Sequence, residues 1–123
     1  MVLLIGVLTS FNTQHSSSLI AKSIQQAMAK VNDSLFVCKY EVSNSEYRGF
    51  LGSLKIKGAA FAEKYRIDSA KWESGPMAKY YHLHPAYANY PVVNISYEAA
   101  LAYCDWLTNQ YNSDAKRKFR KVK

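Results

Sequence analysis

Residues 66–91 hold all three prolines of the chain, Pro76, Pro85 and Pro91, with Gly75 and four of the ten tyrosines, Tyr80, Tyr81, Tyr87 and Tyr90. No apolar period of a helix or a strand is sustained through them. A stretch of that length without its own elements is uncommon inside a compact domain. It predicts an ordered loop pinned by aromatic rings, not a repeating unit. The chain must therefore build its core from what lies on either side. With 123 residues, 49% of them apolar, there is material for one small domain or a piece of a larger one.

The formal charge is +7, from 16 Lys and Arg against 9 Asp and Glu. Six of those bases (Lys116, Arg117, Lys118, Arg120, Lys121 and Lys123) fall in the last eight residues. The rest of the chain holds ten bases and nine acids, a net of +1. The body is close to neutral, and the basic signal belongs to the C-terminus. Such a tail can contact phosphates. The bland reading is a solvated connector, and no nucleic-acid partner is expected.

Val2–Leu8 is an apolar run far shorter than the roughly 20 residues a membrane-spanning helix needs. It fits the apolar region of a truncated signal peptide, or a buried strand. The first reading makes residues 1–15 a signal segment and places the protein in the periplasm or cell envelope; the alternative is cytoplasmic. Ser16–Ser18 can cap a helix, and Ile20, Ile24, Met28 and Val31 recur at helical spacing. A helix over 17–31 follows, within a leader or linker of 16–34. Asn32-Asp33-Ser34 is a turn signal, and Leu35–Val42 reads as a strand.

Ser43 and Glu46 have the spacing of a capping box. Tyr47, Phe50 and Leu51 then share one face of a short helix at about 44–52. Residues 58–65 suggest another turn or two. After an extended Pro91–Ile95, Ser96 caps a helix over about 97–111. Its apolar stripe is Ala100, Tyr103, Cys104, Leu107 and Tyr111.

Candidate chemistry is sparse. Cys38 and Cys104 are too few for a disulfide scaffold or a Cys-type zinc site, and both read as free, buried thiols. His82-x-His84 offers two nitrogens, but a catalytic zinc wants a third protein ligand, and only His15 remains. The tyrosines at 80–90, with Trp72, could stack on bases or sugars; rings that hold the loop to the domain are the simpler reading. There is no Gly-rich phosphate loop, no G-x-S-x-G, and no carboxylate pair placed as acid and base. No catalytic, cofactor or metal residue is assigned.

Two segments carry a resemblance. Phe36–Leu51 (FVCKYEVSNSEYRGFL) resembles the "F-x-x-x-K-Y-E-V-T-N-x-x-Y-x-x-F" opening of the formylglycine-generating enzyme family, also called the sulfatase-modifying factor domain. Tyr90–Leu107 (YPVVNISYEAALAYCDWL) resembles its "P-V-V-x-V-S-W-x-x-A-x-A-Y-C-x-W" segment, approached by His84-Pro85-Ala86-Tyr87. Ser43 and Tyr97 are mild departures. The family's "R-L-P-T-E-A-E-W-E" motif, its late cysteine pair and its calcium sites have no counterpart in this sequence. The resemblance implies an α+β fold of the C-type-lectin-like kind, present as its N-terminal portion, with residues 35–123 an incomplete domain.

For function, it implies a member without catalysis of its own, from an exported bacterial protein of the binding or assembly class found among gliding and secretion lipoproteins. The alternative is a fragment of a copper-dependent oxidase that converts a sulfatase cysteine to formylglycine. A basic nucleic-acid-binding module is the minor one. Copper, non-haem iron and calcium belong to the full-length family, with no cofactor expected in this chain. The implied partner is a protein, either a sulfatase or a cell-envelope assembly.

Overall fold

The computed structural model describes residues 22–71, 80–115, 117 and 118. Residues 22–27 are helical, and Met28–Lys30 (β1) then pairs antiparallel with Phe36–Cys38 (β2). Met28 stands opposite Cys38, Ala29 opposite Val37, and Lys30 opposite Phe36. Asn32 makes the turn: its Oδ1 accepts from the amides of Ser34 and Leu35, each at 2.9 Å. That side chain takes the place of a backbone acceptor and reverses the chain.

This corrects the expected helix over 17–31. It ends at residue 27 because the ladder takes up the backbone groups of 28–30; residues 17–21 lie outside the described region. The expected strand over 35–42 is also shorter. Its two ends have different partners. Residues 36–38 join β1, whereas Val42 accepts a 2.8 Å hydrogen bond from the amide of Val92, and Ser43 bridges Pro91.

Asn44–Lys55 (α1) starts at a complete capping box. Ser43 Oγ accepts from the Glu46 amide, and the Ser43 amide donates to Glu46 Oε2 at 2.8 Å. Asn44, Tyr47, Phe50 and Leu54 form its buried stripe. Leu54 extends that stripe past the expected end at 52. Gly58, at φ 138°, turns the chain into Ala59–Glu63 (α2), a conformation that a side chain would strain. Pro85–Tyr87 forms a 3-10 turn in the long loop. Tyr97–Ser113 (α3) is capped by Ser96 Oγ, which accepts from the Ala99 amide.

The core is largely aromatic. Phe50 lies 5.4 Å from the Tyr47 ring, 5.6 Å from Tyr103 and 5.6 Å from Trp106, with the Tyr103 contact edge-to-face. Ala62, Ile67 and Ala99 fill the spaces around them. Tyr47 hides its ring and still satisfies its hydroxyl, which donates to the Tyr65 carbonyl at 2.7 Å. Helices and one small antiparallel hairpin are compatible with the α+β class.

Two outcomes follow from this core. Phe50→Ala empties the centre of the ring cluster, at an expected cost of about 3–5 kcal/mol. That is comparable with the whole stability of a small domain, about 5 kcal/mol at the low end. The helical far-UV signal should collapse, whereas Ile56→Ala, at an 89% exposed position, should leave it intact.

The second outcome concerns alkali. Burial pushes the Tyr47 phenol up to about 12 and raises Tyr103 as well. A phenol raised in the folded state contributes stability that is full below its ordinary value of about 10. That contribution drains away as pH rises from there through about 12. A phenolate absorbance titration should show a late step coinciding with unfolding. A single step for all tyrosines near the ordinary value would contradict the packed pair.

Candidate functional site

Two places hold the residues that the sequence singles out. The first is a pair of adjoining cavities between the hairpin and α3. One, of about 580 Å³, is bordered by Met28, Cys38, Ser43, Glu46, Tyr103 and Trp106. The other, of about 490 Å³, is bordered by Met28, Leu35, Cys38, Cys104, Leu107 and Tyr111. Tyr103 borders both, with its ring packed on Tyr47 and Phe50. Gln25 Nε2 donates to the Tyr111 hydroxyl at 3.3 Å and ties residues 22–27 to the far end of α3.

Both cysteines are free and exposed, which corrects the expectation of core thiols. The buried line of α3 runs through Ala99, Tyr103 and Tyr111, supported by Ala102 and Trp106, so Cys104 falls on its flank. Cys38 ends the second of two three-residue strands. The residue is open to solvent as a whole, yet its sulfur turns to Met28 Sδ at 3.7 Å. Burial raises the Cys38 thiol above its ordinary range, and the negative charges of Cys104 and Glu46 add to the effect.

The second place is the tyrosine loop. Tyr87 lies 5.1 Å from Tyr81 and 5.3 Å from Tyr90, and Tyr81 donates through its hydroxyl to the Pro91 carbonyl at 3.0 Å. These rings pack on one another within the loop, whereas the expectation had them hold it to the domain. The first turn of α1 fastens the backbone. Asn44 Nδ2 donates to the Tyr87 carbonyl at 3.0 Å, the Asn44 amide to Tyr90, and the Ser45 amide to Ala88. Arg48 Nη1 donates to the His82 carbonyl.

His82 and His84 are engaged within the same loop. His84 Nδ1 accepts from the Ala86 amide at 3.2 Å and caps the 3-10 turn. Burial, aided by the Arg48 guanidinium, lowers His82 below the ordinary imidazole range. Among the described residues no three His, Cys, Asp or Glu side chains converge as a metal site. His15, Trp72 and most of the basic tail lie outside the described residues. Arg117 is described: its Nη1 donates to the carbonyls of Asn112 and Asp114 and closes the end of α3.

Sequence reasoning missed Asn44, Arg48 and Met28. Asn44 follows the capping serine directly, so its amide and side chain sit where a helix start has free donors. That position was the available signal. Met28 gave none, because its spacing continues a helical stripe.

A family model described as "Sulfatase-modifying factor enzyme 1-like domain" matches residues 5–120. No curated protein and no solved structure matches the chain. Among the described residues, no helix is long and apolar enough to cross a membrane.

Asn44→Ala should release the loop. A lost buried hydrogen bond of this kind costs about 1–3 kcal/mol. Chymotryptic cleavage after Tyr80 and Tyr81 should then rise about tenfold or more. Unchanged cleavage would show that the rings alone hold the loop.

Proposed function

The chain belongs to the sulfatase-modifying-factor family, and from that premise we propose that it serves as scaffold for a domain of this type, without catalysis of its own. On this reading it is the N-terminal portion of a C-type-lectin-like fold. It belongs to an exported bacterial protein of the binding or assembly class, and its partner is protein.

One observation carries the reading. The hairpin and the outer flank of α3 present apolar side chains to solvent. Tyr97 is 73% exposed and Leu101 49%, one helical turn apart on α3; Tyr40 is 80% and Val37 46% exposed beside the hairpin. Large apolar side chains left open to solvent on two elements suit an interaction face. Trp106 adds to this: its Nε1 is buried beside the larger cavity without an acceptor among the described residues. A buried indole N–H usually has a partner, and further polypeptide entering that cavity would supply one. The export reading rests on the apolar run Val2–Leu8.

The test is direct. The purified chain alone should self-associate and bind a hydrophobic dye such as ANS through this flank. Leu101→Lys together with Val37→Lys should reduce both. With copper and oxygen it should form no aldehyde on a sulfatase-derived cysteine peptide. A dye-silent monomer would remove the scaffold reading. Aldehyde formation would replace it with the oxidase.

A further inference from the structure

The larger cavity between the hairpin and α3 is an acidic place on a basic chain. Glu41 and Glu46 border it, and among the described residues no Lys, Arg or His does. Asp33, Glu63 and Asp68 each have a basic partner three residues away. Glu41 and Glu46 have no ion pair among the described residues. Two carboxylates left without a counter-charge at one opening, on a chain of net charge +7, favour a cation there. Tyr103 is a second, independent indication. It is only 7% exposed and borders the cavity, and its hydroxyl makes no hydrogen bond among the described residues. A buried phenol usually finds a partner. Burial raises this phenol, and the nearby charge of Glu46 adds to the effect, so its oxygen stays protonated and free to accept.

The acceptors also select among cations. Glu46 Oε2 already accepts from the Ser43 amide at 2.8 Å and from Ser43 Oγ at 2.7 Å. Oε1 is the oxygen left open. A guanidinium gains most from both oxygens of one carboxylate, whereas an ammonium is a point charge that takes single oxygens from separate directions. Ile24, Val42 and Leu107 on the same border suit an alkyl stem behind the charge. Trp106 Nε1, buried beside the cavity, needs an acceptor. An ammonium has none to give, but the backbone carbonyl of a residue that carries one does.

We propose that this cavity takes a lysine side chain of the partner polypeptide, its ammonium on Glu46 and the Tyr103 hydroxyl and its backbone carbonyl toward Trp106. Glu41 adds a second negative charge at the border. The polypeptide source rests on the protein-partner reading above, and the preference for an ammonium does not.

The test uses the full chain and ligand-observed saturation-transfer NMR, which reads weak binding. The probe is Nα-acetyl-lysine methylamide, with the norleucine and arginine derivatives and n-butylammonium in parallel. The lysine derivative should bind about tenfold tighter than the norleucine one, which lacks only the ammonium, and tighter than the other two. Glu46→Gln keeps a capping-box side chain and should weaken binding about tenfold. Glu41→Gln, at an exposed position outside any helix, should weaken it less and keeps the test open if Glu46→Gln unfolds. Tyr103→Phe keeps the ring and should weaken binding severalfold. Glu63→Gln, which removes an acid paired with Arg66, should change nothing. Equal binding of the lysine and norleucine derivatives, tighter binding of the arginine one, or folded Glu46→Gln and Glu41→Gln variants that bind like the parent would each overturn the proposal. Binding of n-butylammonium as tight as that of the lysine derivative would overturn the polypeptide source. Dye binding and self-association without lysine binding would remove this proposal and leave the scaffold reading; the reverse would remove the scaffold reading alone.

Discussion

The first turn of α1 is the contact on which the rest of the structure depends. A helix start leaves backbone donors without partners. Ser43 and Glu46 satisfy part of that need from within. The Asn44 and Ser45 amides are satisfied from outside, by the carbonyls of Tyr90 and Ala88, while the Asn44 side chain takes Tyr87. One helix terminus therefore fixes a loop with no regular element longer than a 3-10 turn among its described residues. It also places Pro91 and Val92 beside Ser43 and Val42, so the chain enters α3 from a set position. The order of cause runs from a capping motif to a loop path to the placement of the longest helix.

The aromatic cluster then sets the angle at which the helices meet. Phe50 and Tyr47 project from α1 at a spacing of three, and Tyr103 and Trp106 project from α3 at the same spacing. Edge-to-face and tilted pairs tolerate the irregular gap between two helices that meet along a short length. Large rings on both sides also explain how a core of few residues closes. Each ring buries far more area than an alkyl side chain, and each tyrosine keeps a polar end that can be satisfied at the edge. The Tyr47 hydroxyl on the Tyr65 carbonyl shows this at the boundary between α1 and the segment after α2.

How much of this was legible in the sequence follows from the range of the forces involved. Ser43, Glu46 and Ser96 act within one helical turn, and the starts of α1 and α3 were readable to the residue. The ring-pinned loop was readable from the density of Tyr and Pro, although the tie to Asn44 was not, since that bond spans 43 residues. The hairpin was hidden because Ile24, Met28 and Val31 continue a helical period, while the strand pairing that overrides it depends on Asn32 turning the chain back. The cysteines were misplaced for a related reason. Helical spacing identifies a stripe only to within about one residue either side. The line that faces α1 passes through Ala99 and Tyr103, so Cys104 is turned to the flank and borders the cavity beside the hairpin instead.

Tyr97, Leu101 and Cys104 recur along one side of α3, and Cys104 borders the same cavity as Cys38 of β2. The hairpin has few supports. It consists of two three-residue strands, and a lone two-stranded ribbon is marginal in water. Further polypeptide could hold it against α3 by removing apolar area from water, at about 25 cal/mol per Å². A partner that binds only the docked arrangement adds RT ln(1 + [L]/Kd) to its stability. The exposed apolar flank and the weakly supported hairpin are therefore two sides of one equilibrium, between a hairpin docked on α3 and one released from it.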